Sequence, residues 1–371
     1  MSTAKDHLEI LSALLLGTGN CHRTPLTEGP EAANHKEDTQ LVSSLGQSEF
    51  ANFVDLANKH HVIVRSLESL CILKTEGQDR NFAANIVQTM SAERARIAHA
   101  LSILEQICNA CESEGCEVVV IKSLDHWPDL GGDLDLFTPA ASVDVIRVLR
   151  QHFNARIEAR SWGDRLADKW NFSIPGLPEL VEFHVGRLGQ TGEQVGLAKR
   201  LSEHARPLQV GKHSFLVPAA EDRLIISTLQ RMYRHFYFRL CDIVDTAKLI
   251  EANAVDYEQL RATATTAGVW EGTATFLAIV SDYVETYRGE GLAVPSFVRS
   301  AARFGGDQVS FKDGYLRVPI LPHSVKLFAS ELGKLAINGD VRGTARLSLF
   351  PGLAAVAAIG FKLTGSDKGI W

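Results

Sequence analysis

The chain has 371 residues, too many for one ordinary domain and enough for two or three at roughly 100–200 residues each. Hydrophobic residues make up 45% and charged residues 22%, close to globular averages, which excludes a disordered, collagenous or coiled-coil chain. Lys and Arg number 38 against 44 Asp and Glu, a formal net charge of −6, so the chain is no polycation and carries no strong nucleic-acid signal.

Residues 1–116 follow a helical pattern. Leu8, Leu11, Leu14 and Leu15 form an apolar stripe at helical spacing. The polar stretch Gly17 to Gln40 breaks that pattern and is expected to be a loose loop. Its Gly17-Thr18-Gly19-Asn20 is no nucleotide fingerprint, because no strand precedes it and the third glycine is missing. Helical periodicity resumes at Phe50, Phe53, Val54, Leu56 and Ala57, continues over Val62–Leu73, and is clearest over Asn81–Glu114. There Ile97, Ala100, Leu101, Leu104, Ile107, Cys108 and Cys111 fall on one face.

Six cysteines (21, 71, 108, 111, 116, 241) are far too few for a disulfide scaffold. Cys108 and Cys111 form a C-x-x-C, but inside a continuous helical pattern and with no second pair at zinc-finger spacing, so they are expected to be buried free thiols. The first residues show no cleavable signal pattern, and the expected location is cytoplasmic. The longest uncharged run, Leu347–Phe361, falls short of the roughly 20 apolar residues a spanning helix needs. It is expected to be a packed C-terminal helix, with a membrane-surface contact through 347–361 as the alternative.

The pattern changes at Gly115. Glu117-Val118-Val119-Val120-Ile121 is a short β-branched run suited to a buried strand. Asp133-Leu134-Asp135-Leu136-Phe137 alternates polar and apolar, the period of a half-buried strand. Ser142 is placed to cap a helix through Phe153, and alternation returns over Arg156–Arg160 and Leu180–Val185. From Pro218 the pattern is again helical, with a hairpin-like piece near Tyr315–Ile320.

Side chains two apart on a strand share a face at roughly 6.5 Å separation. Asp133 and Asp135 therefore project together while Leu134 and Leu136 enter the core. Two such carboxylates repel unless a cation lies between them, and a hard divalent ion such as Mg²⁺ is the natural partner. If the strand of Glu182 pairs beside that of Asp133 and Asp135, a third carboxylate joins them, and three can hold two Mg²⁺ ions for in-line phosphoryl displacement. Lys122 and Ser123 end the preceding strand, where backbone amides and a hydroxyl can hold phosphate. Gly131-Gly132 gives the chain a tight approach and leaves space for a ligand.

Val120-Ile121-Lys122-Ser123, Asp133-Leu134-Asp135 and Glu182-Phe183-His184 together resemble the pattern of an uncharacterised bacterial nucleotidyltransferase family within the DNA polymerase β-like superfamily. The likeness runs from about Leu101 to Glu251 and includes Val217–Asp222, His235 and Leu240–Ile250. Two places depart from the family pattern: Ser123 stands where Gly is usual, and no Arg precedes Asp133, leaving Lys122 to supply that charge or the triphosphate to be held differently.

The resemblance implies an α+β fold, a small mixed-sheet nucleotidyltransferase core (115–217) between an N-terminal helical region (1–114) and a C-terminal helical domain (218–371). It also implies transfer of an NMP, AMP from ATP, to an unidentified acceptor hydroxyl or phosphate, releasing pyrophosphate. Asp133, Asp135 and Glu182 would be the catalytic and metal-binding residues, for two Mg²⁺ ions or Mn²⁺ in their place. Lys122 and Ser123 would bind the nucleotide. The alternative is an inactive member of the same fold that binds a nucleotide or a partner.

Other candidates have plainer explanations. His184 either touches substrate or orients Glu182, and Trp127 either stacks on a base or packs. His235, Arg239, Asp242 and Asp245 suit capping or salt bridges better than a cleft. Arg156, Arg160, Arg165 and Lys169 suit a solvated strand edge better than a basic rim. No Gly-x-Ser-x-Gly elbow, Walker A motif, protein-kinase set or His-Glu-x-x-His is present. The sequence carries no signature of an oligomeric state.

Overall fold

A computed structural model describes residues 3–17, 45, 47–73 and 80–364. The chain opens with helices α1 (Ala4–Leu16), α2 (Gln47–Lys59), α3 (Ile63–Leu73) and α4 (Arg80–Ser113). Helix α1 is entered through a reciprocal cap: the Thr3 hydroxyl accepts from the Asp6 amide at 3.3 Å, and the Asp6 carboxylate accepts from the Thr3 amide at 2.6 Å. Its leucine stripe is buried as its spacing predicts. Beyond Gly17, the loop expected to Gln40 lies outside the described residues, as does Cys21.

Next come β1 (Val119–Val120), a short 3₁₀ turn (Ser123–His126), β2 (Asp133–Thr138), α5 (Ser142–Phe153), β3 (Arg156–Ile157), α6 (Trp162–Ala167), β4 (Lys169–Ser173) and β5 (Leu180–Val185). They build one five-stranded sheet in the order β1-β2-β5-β4-β3. The pair β2 and β5 is parallel and the remaining pairs are antiparallel, so the sheet is mixed. Only Val119 and Val120 of the expected 117–121 strand enter the ladder, although the Ile121 amide still donates to the Asp135 carbonyl at 2.9 Å. Ser142 does not cap α5: the helix is entered through Ala141 in extended conformation, with Ser142 already inside the first turn.

Periodicity does not announce four of the elements: α6 and β4, and the two strands of the hairpin β6 (Arg206–Val210) and β7 (His213–Val217), which follows α7 (Val195–His204). The rest is mainly helical: α8 (Ala220–Thr228) running into a wider π-helical turn (Leu229–His235), β8 (Tyr237–Phe238), α9 (Leu240–Glu251), α10 (Tyr257–Ala267), α11 (Trp270–Arg288) and α12 (Ser296–Ala301). The hairpin expected near Tyr315 is present as β9 (Ser310–Lys312) and β10 (Tyr315–Arg317), turning through Asp313-Gly314, both at positive φ; β8 adds a third strand. Helices α13 (Val325–Ile337), α14 (Val341–Ser348) and α15 (Phe350–Thr364) close the chain. Leu347 and Phe350 pack on Leu335, whereas Val356 and Ile359 are exposed. No helix among the described residues is long and apolar enough to cross a membrane.

Two apolar cores flank the sheet. Leu134, Leu136, Val181 and Phe183 face one of them, covered by the Ile97–Cys111 face of α4, by Val145, Val148 and Leu149 of α5, and by Phe215 of β7. Val119, Ile121 and Phe137 face the other, which contains the buried residues of α1 and α2 together with those of α9, α10 and α11. N-terminal and C-terminal helices thus share one core, and apolar packing crosses both positions at which the sequence divides. Cys71, Cys108, Cys111, Cys116 and Cys241 are free thiols.

Candidate active site

The register of the parallel pair sets the site. Asp135 lies opposite Glu182 and Phe137 opposite His184 across β2 and β5, so Asp133, Asp135, Glu182 and His184 share one face. On the other side of β5, β4 sets Lys169 opposite His184 and Asn171 opposite Glu182, on that same face. The opposite faces of all three strands carry apolar residues into the core, which leaves the polar rows no alternative direction.

The carboxylates differ in environment. Glu182 is 8% exposed; its Oε2 accepts from Lys169 Nζ at 2.6 Å and its Oε1 from His184 Nε2 at 2.9 Å, with Lys122 Nζ at 3.9 Å. Burial opposes its charge, yet Lys169, the His184 hydrogen bond and Lys122 together hold its carboxyl well below the usual range. Asp135 is half-buried and its Oδ1 lies 2.5 Å from Lys122 Nζ and 3.8 Å from His184 Nε2. The Asp133 carboxylate has no hydrogen-bond or ion-pair partner among the described residues. Asp133 is the exposed end of this row, and partial loss of solvation at the strand end together with the neighbouring charges of Asp135 and Glu182 raises its carboxyl to about 6.

The preceding turn is built around Ser123, which is 3% exposed. Its hydroxyl accepts from the Asp135 amide at 2.7 Å and donates to the Asp133 carbonyl at 3.2 Å, while its own amide donates to the Ile121 carbonyl at 2.7 Å. Ser123 thereby clamps the backbone of both aspartates. Lys122 has φ 62° and ψ −52°, sparsely populated for a non-glycine residue and costing on the order of 1–3 kcal/mol. That backbone aims its ammonium back across the sheet at Asp135.

Lys169 was missed as a site residue. It is 8% exposed and lies between Glu182 and Asp164, the latter at 3.7 Å, so it belongs to no solvated edge. The alternation Lys169-Trp170-Asn171-Phe172-Ser173 was the available signal. Asp242 and Asp245 make salt bridges instead of facing the carboxylates: Asp242 to Arg231 at 2.7 Å and Asp245 to Arg65 at 2.5 Å.

Oxygen donors dominate the cluster, and ligand atoms of Asp135, Glu182 and His184 all lie within 4.8 Å of one another. With Asp133 unpartnered and held near 6, the donor set fits a hard divalent ion, which would relieve the repulsion that raises that carboxyl. The mixed sheet thus brings two aspartates of one strand beside a glutamate of the next, against a Ser-containing turn. A family model described as "Uncharacterised nucleotidyltransferase" matches residues 46–284, more than half of the chain, and the chain belongs to that family. It is accordingly an enzyme of the nucleotidyltransferase class with an α+β fold. No curated protein and no solved structure matches it.

Proposed function

We propose that the enzyme moves a nucleoside monophosphate, AMP from ATP, to a hydroxyl or phosphate oxygen of an acceptor and releases pyrophosphate. The observation that carries this reading is the register of β2 and β5, which sets Glu182 beside Asp135 with Asp133 on the same face. Asp133 and Asp135 would hold divalent ions, Mg²⁺ or Mn²⁺, with Glu182 completing the set on the acceptor side. Such ions, when bound, stabilise charge on the transferring phosphoryl group and lower the pKa of the attacking oxygen.

The protein's own groups divide the remaining work. Lys122 has a flexible stem and the ammonium nearest Asp135, suiting it to follow the triphosphate oxygens. Ser123 fixes the backbone of both aspartates, a positioning role, since its hydroxyl and amide are taken up by protein partners. Glu182, held ionised by Lys169 and His184, accepts a hydrogen bond from the acceptor hydroxyl and orients it; its depressed pKa makes it a weak base by itself.

Titration calorimetry of ATP into the full-length protein is expected to give binding that requires Mg²⁺ and is abolished in Asp135→Asn with the fold retained. Labelled ATP incubated with the wild type and cell extract is expected to label an acceptor fraction. The pairing of Lys122 and Lys169 with Asp135 and Glu182 favours a second reading, a non-catalytic nucleotide- or partner-binding protein. Mg²⁺-dependent ATP binding without labelling of any fraction would select that reading, and absence of such binding would remove both nucleotide proposals.

A further inference from the structure

A second cluster lies outside the carboxylate face. His61 is in the turn between α2 and α3, His126 ends the 3₁₀ turn that Lys122 and Ser123 begin, and Cys241 is in the first turn of α9. One ligand atom from each lies within 4.8 Å of the others. We propose that His61, His126 and Cys241 form a site for a borderline-soft divalent ion, zinc by preference, that joins these three segments.

Donor chemistry selects the ion, since two imidazoles and a thiolate suit zinc and leave one of four positions for water. His126 Nε2 points toward Cys241 Sγ at 3.9 Å while its Nδ1 bonds Asp245 Oδ2 at 2.6 Å, the carboxylate–histidine relay that orients a metal-binding imidazole. Nδ1 of His61 is buried with no hydrogen-bond partner in the described structure. His61 is close enough to Gly131 that a Cβ there would meet its ring at 2.9 Å, so the glycine gives the imidazole its place. Tetrahedral zinc with these donors needs separations of about 3.3–3.6 Å, so the present spacing closes by small side-chain rotations.

The backbone around the cluster is fixed by other contacts. The His60 carbonyl accepts from the Cys241 amide at 3.3 Å, His60 Nδ1 accepts from the Leu240 amide at 2.9 Å, and Asp129 accepts from the Val64 amide at 2.6 Å. A cavity of about 20 Å³, room for one water, adjoins His126 and is lined also by Lys122, Asp125, Arg223 and Asp245. A bound ion would therefore act as a staple, holding the turn that carries Lys122 against the helical body. The site uses none of the residues assigned to nucleotide transfer and stands or falls independently of that reading.

Chelator-treated full-length protein titrated with Co²⁺ is expected to develop a thiolate-to-cobalt charge-transfer band in the near ultraviolet whose amplitude corresponds to one bound ion, and which Zn²⁺ then removes. Cys241→Ser should abolish that band. His61→Asn, which tolerates the left-handed backbone at this position (φ 53°), should weaken Co²⁺ binding roughly tenfold or more. The Asp133→Asn/Asp135→Asn double variant should keep the band. Absence of the band in folded wild type with excess Co²⁺ overturns the proposal. A band that survives Cys241→Ser, or one lost with the two aspartates, also overturns it.

Discussion

Asp133 is the residue whose titration reports on the site. Its carboxyl stands near 6 in the folded protein against an ordinary 3.8, so the folded state binds the extra proton between those values. The stability linked to that proton is fully present below 3.8 and is lost as pH rises through about 6. In metal-free protein, Asp133→Asn should therefore gain Tm relative to wild type as pH is raised across this window; no relative gain would mean that Asp133 is not repelled by its neighbours. The same proton competes with a divalent ion. Mg²⁺-dependent nucleotide binding should weaken by up to about tenfold per pH unit below 6, as followed by calorimetry. Asp133, Asp135 and Glu182 were legible because period-two alternation fixes which side chains share a strand face. Lys122 was legible by position only: its ion pair with Asp135 depends on a positive-φ backbone that no periodicity announces.

At the scale of elements, β4 separates what periodicity could and could not disclose. Its alternation is present, but polar Lys, Asn and Ser on one face of a short strand look like a solvated edge until β5 is placed beside it. Once placed, Lys169 is a buried countercharge to Glu182. Lys169→Met should cost about 3–5 kcal/mol in denaturant unfolding near neutral pH, because a buried carboxylate loses its partner. Adding Glu182→Gln should restore most of the loss, and failure of that rescue would place the damage in packing. Glu182 has a depressed folded pKa, so its stabilising contribution is present above its ordinary 4.5 and lost as pH falls through the lower folded value. The deficit of Lys169→Met should accordingly shrink in acid.

At the scale of the molecule, a buried charge network ties the parts together. Arg65 of α3, 7% exposed, donates from Nε to Asp129 at 2.7 Å and from Nη1 to Asp245 of α9 at 2.5 Å, and Asp245 also bonds His126. These contacts join the N-terminal helices, the approach to β2 and the C-terminal helices around the shared apolar core. Arg65→Met leaves two carboxylates buried without their partner and should lower stability by about 3–5 kcal/mol. Unfolding should remain one cooperative transition by circular dichroism and tryptophan fluorescence alike. Separate transitions would instead support 1–114, 115–217 and 218–371 as independently folding domains.

Local sequence alone determined the helical ends, the strands β2 and β5, the apolar and polar faces of each, and the carboxylates that they present, because hydrophobic periodicity is a property of neighbouring residues. Only the tertiary structure decided which strands adjoin, where Lys122 and Lys169 place their charges, and that His61, His126 and Cys241 meet. Those outcomes depend on strand order, on a strained turn and on packing between segments as many as 180 residues apart (Arg65 to Asp245), and no local pattern encodes such separations.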